Sequence, residues 1–240
     1  QNILLDVKVG TGSFTPKLED AIKLARKMVD VGKLAGRNIA ALITNMDVPL
    51  GKAIGNSMEI IEACEILQNK GPADLREVCV ELSTYMVLLC TNDSYENCRK
   101  RVLESLENGS AFYKFKQLVS AQSGDTAYID NPDLFEKATY EYDVKAAQSG
   151  YISSMDTAGI GEVSLMLGAG REKKEDTIDY EAGIYIYAKT GDKVVKGQIL
   201  ATLHTNRKHI ISEAEQEYLK ALTFSKIAPQ PQKLIYQLVK

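Results

Sequence analysis

Ile3-Leu-Leu-Asp-Val-Lys-Val9 runs into Gly10-Thr-Gly12, and further along the chain Ile39-Ala-Ala-Leu-Ile43 forms a second apolar run. Each is short, apolar and followed by turn residues, which predicts two largely buried strands. Between them, after Pro16, the apolar positions Leu18, Ala21, Ile22, Ala25, Met28 and Val29 recur at helical spacing as far as Gly32. That spacing predicts a helix. Strand, helix, strand in so short a span predicts a βαβ unit with parallel strands and a right-handed crossover. The fold class on this reading is α/β, a mixed sheet with flanking helices.

Beyond the unit comes a turn, Asp47-Val-Pro-Leu-Gly51, then a helix with Met58, Ile61, Cys64 and Leu67 on its buried stripe, stopped by Gly71-Pro72. Asp74 is a candidate cap for the next helix, which carries Cys79, Leu82, Met86 and Leu89, and two more helices are expected over 94–107 and 110–121. From Tyr140 the pattern changes to short alternating runs separated by glycine, which predicts a compact β-rich module. Within it, Gly191 to Leu203 resembles one hairpin of the barrel-sandwich shape of biotinyl and lipoyl carriers. The expected division is 1–138 for the α/β part and 139–240 for the module with its tail. That tail, Leu234-Ile-Tyr-Gln-Leu-Val239, is too apolar to be left in water and is expected to be ordered.

The chain has 240 residues, 45% of them hydrophobic, enough for a sizeable core. With 29 Lys and Arg against 32 Asp and Glu, it has no basic field for nucleic acid or anionic lipid. Cys64, Cys79, Cys90 and Cys98 form no CxxC pair and lie far in sequence from His204 and His209, which argues against zinc. Cys64 and Cys79 read as structural thiols suited to a reducing cytoplasm. No apolar run is long enough for a membrane span, and no signal-peptide pattern opens the chain. A soluble, cytoplasmic protein is expected. The chain begins at Gln1 and passes directly into an apolar strand, so it reads as the C-terminal piece of something longer.

Leu5-Asp-Val-Lys-Val-Gly-Thr-Gly-Ser-Phe14, Ala35-Gly-Arg-Asn38, and Asn45-Met-Asp-Val-Pro-Leu-Gly-Lys-Ala-Ile-Gly-Asn56 with Glu59 and Glu62 resemble the pyrimidine-nucleoside and thymidine phosphorylases. Gly168-Ala-Gly-Arg171 with Lys174-Glu-Asp176, and the Gly191 to Leu203 stretch ending in His204, are similar to the same family's C-terminal module. Five motifs in the family's order carry far more weight than any one glycine-rich stretch. The resemblance implies reversible phosphorolysis of uridine, thymidine or deoxyuridine, giving base and a pentose 1-phosphate. It also implies phosphate as co-substrate, no organic cofactor, and a homodimer when intact. In that family the glycine-rich phosphate loop, and the Arg, Ser and Lys that read the base, precede the motif at Leu5. The fragment alone is therefore expected to be inactive, with no catalytic residue of its own and a missing N-terminal part as its partner.

The same resemblance implies two sites. Phe14 matches a position that lines the base pocket, where an aromatic ring can pack on a flat pyrimidine; the plainer alternative is that it packs the turn after the first strand. The backbone carbonyls of Leu50 and Ala53 and the carboxylate of Glu62 match a monovalent-cation site. Oxygen ligands with a single carboxylate suit potassium or sodium over calcium, and the plainer alternative for Glu62 is a solvated helix residue. Asp6 and Lys8 point to one face of the first strand, either paired or reaching a cleft. The run Arg171-Glu-Lys-Lys-Glu-Asp176 reads as a solvated loop rather than a phosphate clamp. A competing reading of the chain is a non-catalytic carrier or interaction module built on the biotinyl/lipoyl-like hairpin. A relative of the anthranilate phosphoribosyltransferases would lack the C-terminal module.

Overall fold

The computed structural model describes residues 1–171 and 173–240. The chain forms two compact units: Gln1–Met46 with Glu65–Leu118 and Gln232–Lys240, and Asp47–Cys64 with Val119–Pro231. The division therefore does not fall at one chain position near residue 138. The stretch Asp47–Cys64 belongs with the β-rich part, and the tail belongs with the first unit.

The first unit holds a mixed three-stranded sheet. Strand β1 (Asn2–Val9) runs parallel to β2 (Asn38–Asn45), and the two are joined through helix α1 (Leu18–Leu34). The two strands pair in continuous register from Asn2 opposite Asn38 to Val9 opposite Asn45. The tail strand, the tenth and last among the described residues, is β10 (Ile235–Val239) and pairs antiparallel on the other side of β2. Val7 and Val9 of β1 and Ala41 and Ile43 of β2 are buried with Ala21, Ala25 and Val29 of α1, so the small residues of the helix let it lie close on the sheet. Asp6 and Lys8, alternating with these valines, face the opposite side. There Cys79, on the helix Ala73–Cys90, feels their charges.

That helix, α3, follows α2 (Asn56–Leu67) and precedes α4 (Tyr95–Glu107) and α5 (Ser110–Ala121). Val80 of α3 packs with Val102 and Leu106 of α4 in a small core of its own. Pro72, not Asp74, occupies the N-cap of α3; Asp74 lies inside the first turn, where its carboxylate suits the positive end of the helix.

The second unit contains two sheets. The strands β3 (Ala53–Gly55), β4 (Tyr140–Lys145), β6 (Gly183–Ile186) and β8 (Ile199–Thr205) form an antiparallel sheet in the order β3-β6-β8-β4. A smaller sheet has the order β7-β5-β9, from β5 (Gly150–Met155), β7 (Lys193–Val194) and β9 (Leu222–Ser225). Its helices include residues 56–64 of α2 together with α6 (Ala127–Asp130), α7 (Thr157–Leu167) and α8 (Ile211–Lys220). Ile152, Ile160, Leu167, Ile184, Leu203 and Tyr218 lie in one core, fully removed from solvent.

The expected hairpin over Gly191–Leu203 is not a two-stranded ladder. β7 bonds to β5 in one sheet, and β8 bonds to β6 and β4 in the other. Val194 and Leu200 nonetheless lie in the same core, so the two strands share buried surroundings while taking different partners. The described fold is thus α/β: a mixed sheet flanked by helices, and a β-rich module. No helix among the described residues is long and apolar enough to cross a membrane.

Candidate functional site

The loop leaving β1 is built by its own hydrogen bonds. Gly10 adopts φ 135°, a left-handed value that favours glycine, and turns the chain out of the strand. Ser13 N donates to Gly10 O at 3.0 Å, Gly12 N to Met46 O at 3.0 Å, and Met46 N to Val9 O at 2.7 Å. The Ser13 hydroxyl donates to Gly10 O at 3.0 Å and accepts from Thr15 N at 3.2 Å. Thr15 Oγ1 reaches back to Lys8 O at 2.7 Å. On this braced loop the Phe14 side chain is wholly exposed, at 108% of its reference accessibility. Phe14 does not pack the turn within its own unit, which sets aside the plainer of its two readings there. Its loop leaves the carboxyl end of a parallel strand, the place where open α/β sheets bind ligands.

Behind the loop, Asp6 and Lys8 pair. Lys8 Nζ lies 2.7 Å from Asp6 Oδ2 and donates to Thr44 Oγ1 at 3.0 Å, and Thr44 in turn donates to Asp6 Oδ1 at 2.5 Å. Of the two alternatives open to these charges, the structure shows the pair. Thr44 has no part in the sequence reading, because only the register of β2 beside β1 brings it there.

In the second unit, the loop Asp47–Lys52 leads into β3. Lys189 Nζ donates to Pro49 O at 2.7 Å, and Gly51 takes φ 73°. Glu62, on α2 and 5% exposed, is not a solvated helix residue. Its Oε1 accepts from the backbone N–H of Lys52 at 2.8 Å and of Ala53 at 3.2 Å. Glu59, one turn earlier on α2, accepts from Gly55 N at 3.0 Å. Ile186 N donates to Lys52 O, so Ala53 is the non-hydrogen-bonded partner of Tyr185. In an antiparallel ladder the N–H and C=O of such a residue both point away from the neighbouring strand. The Ala53 carbonyl therefore lies on the free edge of β3, the edge on which its N–H meets Glu62. A buried carboxylate beside the outward-facing Ala53 carbonyl offers oxygen ligands of the kind a hard monovalent cation takes. Among the described residues no three His, Cys, Asp or Glu side chains gather to hold a metal ion. A cation here would thus depend on backbone oxygens together with Glu62.

Phe14 and the Leu50–Ala53–Glu62 group belong to different units. Of the run Arg171–Asp176, Glu172 lies outside the described residues, and the others are exposed, with Lys173 N donating to Asp176 Oδ2 at 2.9 Å.

Comparison with known proteins adds to this geometry. Residues 151–225 match the family model for the pyrimidine nucleoside phosphorylase C-terminal domain. The chain is 46% identical over 209 residues to a pyrimidine-nucleoside phosphorylase of Staphylococcus haemolyticus (strain JCSC1435), an alignment covering 87% of this chain and 48% of the relative. The chain belongs to the pyrimidine-nucleoside phosphorylase family. Phosphorylases of that name from Staphylococcus aureus, strains bovine RF122 / ET3-1 and USA300, are each 44% identical over the same coverage. The chain thus spans about half the length of the curated phosphorylases it matches. The matched family domain starts at β5 and closes at β9, within the second unit.

Proposed function

We propose that this chain forms part of an enzyme that splits pyrimidine nucleosides with phosphate, releasing the base and a pentose 1-phosphate. The observation that carries the reading is the 46% identity over 209 residues to a relative named for that activity. In such a reaction the bond between sugar and base breaks as phosphate attacks the sugar, leaving a cation-like sugar and an anionic base. The protein's task is to position phosphate and to stabilise the departing pyrimidine.

Phe14 supplies one wall of the base site on this proposal. An exposed ring on a hydrogen-bonded loop leaves about 1.5–3 kcal/mol of burial unused, and a flat pyrimidine stacked on it would recover part of that. The Leu50 and Ala53 carbonyls and Glu62 hold a monovalent cation, potassium by preference, whose contribution when bound is to brace the loop between β2 and β3. Glu62 does part of that bracing through its two backbone N–H partners. The phosphate-binding and base-reading groups lie in polypeptide outside this chain, so the 240 residues alone turn over no nucleoside. Cytoplasmic location and a homodimeric assembly of the intact enzyme belong to the same proposal.

The test is base release from uridine and thymidine by the chain extended upstream through a glycine-rich loop, with and without phosphate. Release that requires phosphate supports the proposal. An extended chain inert toward both nucleosides favours the non-catalytic interaction module.

A further inference from the structure

We propose that the second unit carries a binding cavity for a small organic cation, an amine or amidine on an apolar stem, bounded by His204, Glu141 and Glu181. The cavity has a volume of about 340 Å³, at the small end of the range for ligand pockets.

Its existence follows from one row of residues across the four-stranded sheet. Gly55, Gly183, His204 and Glu141 stand side by side on β3, β6, β8 and β4. A Cβ on Gly183 would come within 2.3 Å of Ile54 O and 2.9 Å of Met58 Sδ, so the first turn of α2 lies directly on the glycine half of the row. His204 is the first full side chain beyond it. Its ring faces the gap left between α2 and the segment 132–138.

The walls divide by chemistry. Met58 and Ile61 of α2 with Phe135 and Ala138 give apolar surface, while Glu141, Glu181 and His204 give polar groups. Asp133, Glu136 and Lys137 bring the other charged groups of the lining, so four carboxylates face one lysine. That balance repels phosphate and other anions and attracts a cation. The polar wall is also held in place. Asn206 donates to Glu181 Oε2 at 2.7 Å and to Asp179 Oδ2 at 3.1 Å, and its Oδ1 accepts from Thr139 N at 2.7 Å and Thr139 Oγ1 at 2.6 Å. One side chain thereby fixes both the Glu181 carboxylate and the chain entering β4.

Between Glu141 and His204 there is a gap. Glu141 Oε1 lies 3.7 Å from His204 Nδ1, too long for a hydrogen bond. Burial holds the His204 pKa below the ordinary histidine value, against the opposing pull of Glu141 and Asp143. A neutral ring adds no positive charge to compete with an incoming ammonium. Such a group would make charge-assisted hydrogen bonds to Glu141 and Glu181 while its stem covers Met58 and Ile61.

The site is independent of the phosphorylase reading and is tested on the 240-residue chain. Benzylamine, benzyl alcohol and benzoate are titrated separately and followed by NMR chemical shifts. The expected result is saturable binding of benzylamine alone, with shifts at Met58, Ile61 and His204. Glu141→Gln and Glu181→Gln should each weaken it about tenfold, the loss of one charge-assisted contact. Non-saturable shifts, equal binding of benzyl alcohol or benzoate, or undiminished affinity in both variants would overturn the proposal.

Discussion

Phe14 stands on a loop held by Ser13 and Thr15 and contributes no burial within its unit. Phe14→Ala should therefore change the unfolding free energy by no more than about 0.5 kcal/mol, read from urea denaturation. In the catalytically complete protein the same change should raise the nucleoside KM. Tyr218 is the reverse case, fully buried with its hydroxyl lacking any hydrogen-bond partner among the described residues. Removing that hydroxyl relieves a buried polar group, so Tyr218→Phe should leave stability unchanged or raise it by roughly 1 kcal/mol, measured by thermal or urea unfolding. His204 contributes a pH effect. Its folded pKa lies below its unfolded value, so the folded state resists protonation. Stability from this group is present above the unfolded histidine pKa and falls as pH drops below it toward the folded pKa. His204→Gln should flatten that part of the stability profile between neutral and acid pH. The pairing of Asp6 with Lys8 was half legible in the alternation of β1. The third member, Thr44, was not, because register between strands is a long-range property.

The strand β3 and the helix α2 act as one piece, since Glu62 accepts two backbone N–H groups of the segment it faces. Glu62→Ala leaves both donors without that partner in a buried setting, at a cost of about 1–3 kcal/mol. Glu62→Gln keeps an accepting oxygen but removes the charge. It should retain most of the stability while weakening activation by potassium in the complete enzyme, and an unchanged activation curve would remove the cation site. Gly183→Ala forces a Cβ against Ile54 O and should destabilise the second unit by more than the roughly 1 kcal/mol typical of a point change. Among the elements, the spans of β1, α1, β2 and the helices through Ala121 follow closely from periodicity and turn residues, although of the stripe read for α2 only Cys64 is fully buried, with Glu62 and Ile66 buried beside it. Helix α7 was hidden by Gly159 and Gly161, which read as turn signals. Yet Ile160, Val163 and Leu167 have helical spacing, and all three are buried in the core, so packing overrides the low helix preference of glycine there. The two-residue strand β7 was read as half of a hairpin because local pattern shows which residues are buried but not which strand they bond.

In the molecule as a whole, chain order and packing order differ. The tail strand β10 joins the sheet of the first unit, and Asp47–Cys64 is counted with the second. The apolar pattern of Leu234–Val239 announced that the tail is ordered, but nothing local announces which sheet takes it. Of the candidate sites, the positions Phe14, Leu50, Ala53 and Glu62 were reached through family motifs, whereas the His204 cavity depends on a row of four strands that no motif spans. The chain aligns with about half the length of the staphylococcal phosphorylases, and the proposed chemistry requires groups from the rest. The most direct measurement mixes the 240-residue chain with separately produced upstream polypeptide and follows uracil release from uridine. Release should occur only when both pieces and phosphate are present. Turnover by the 240 residues alone, or none from the reassembled pair and the continuous protein alike, would contradict the account.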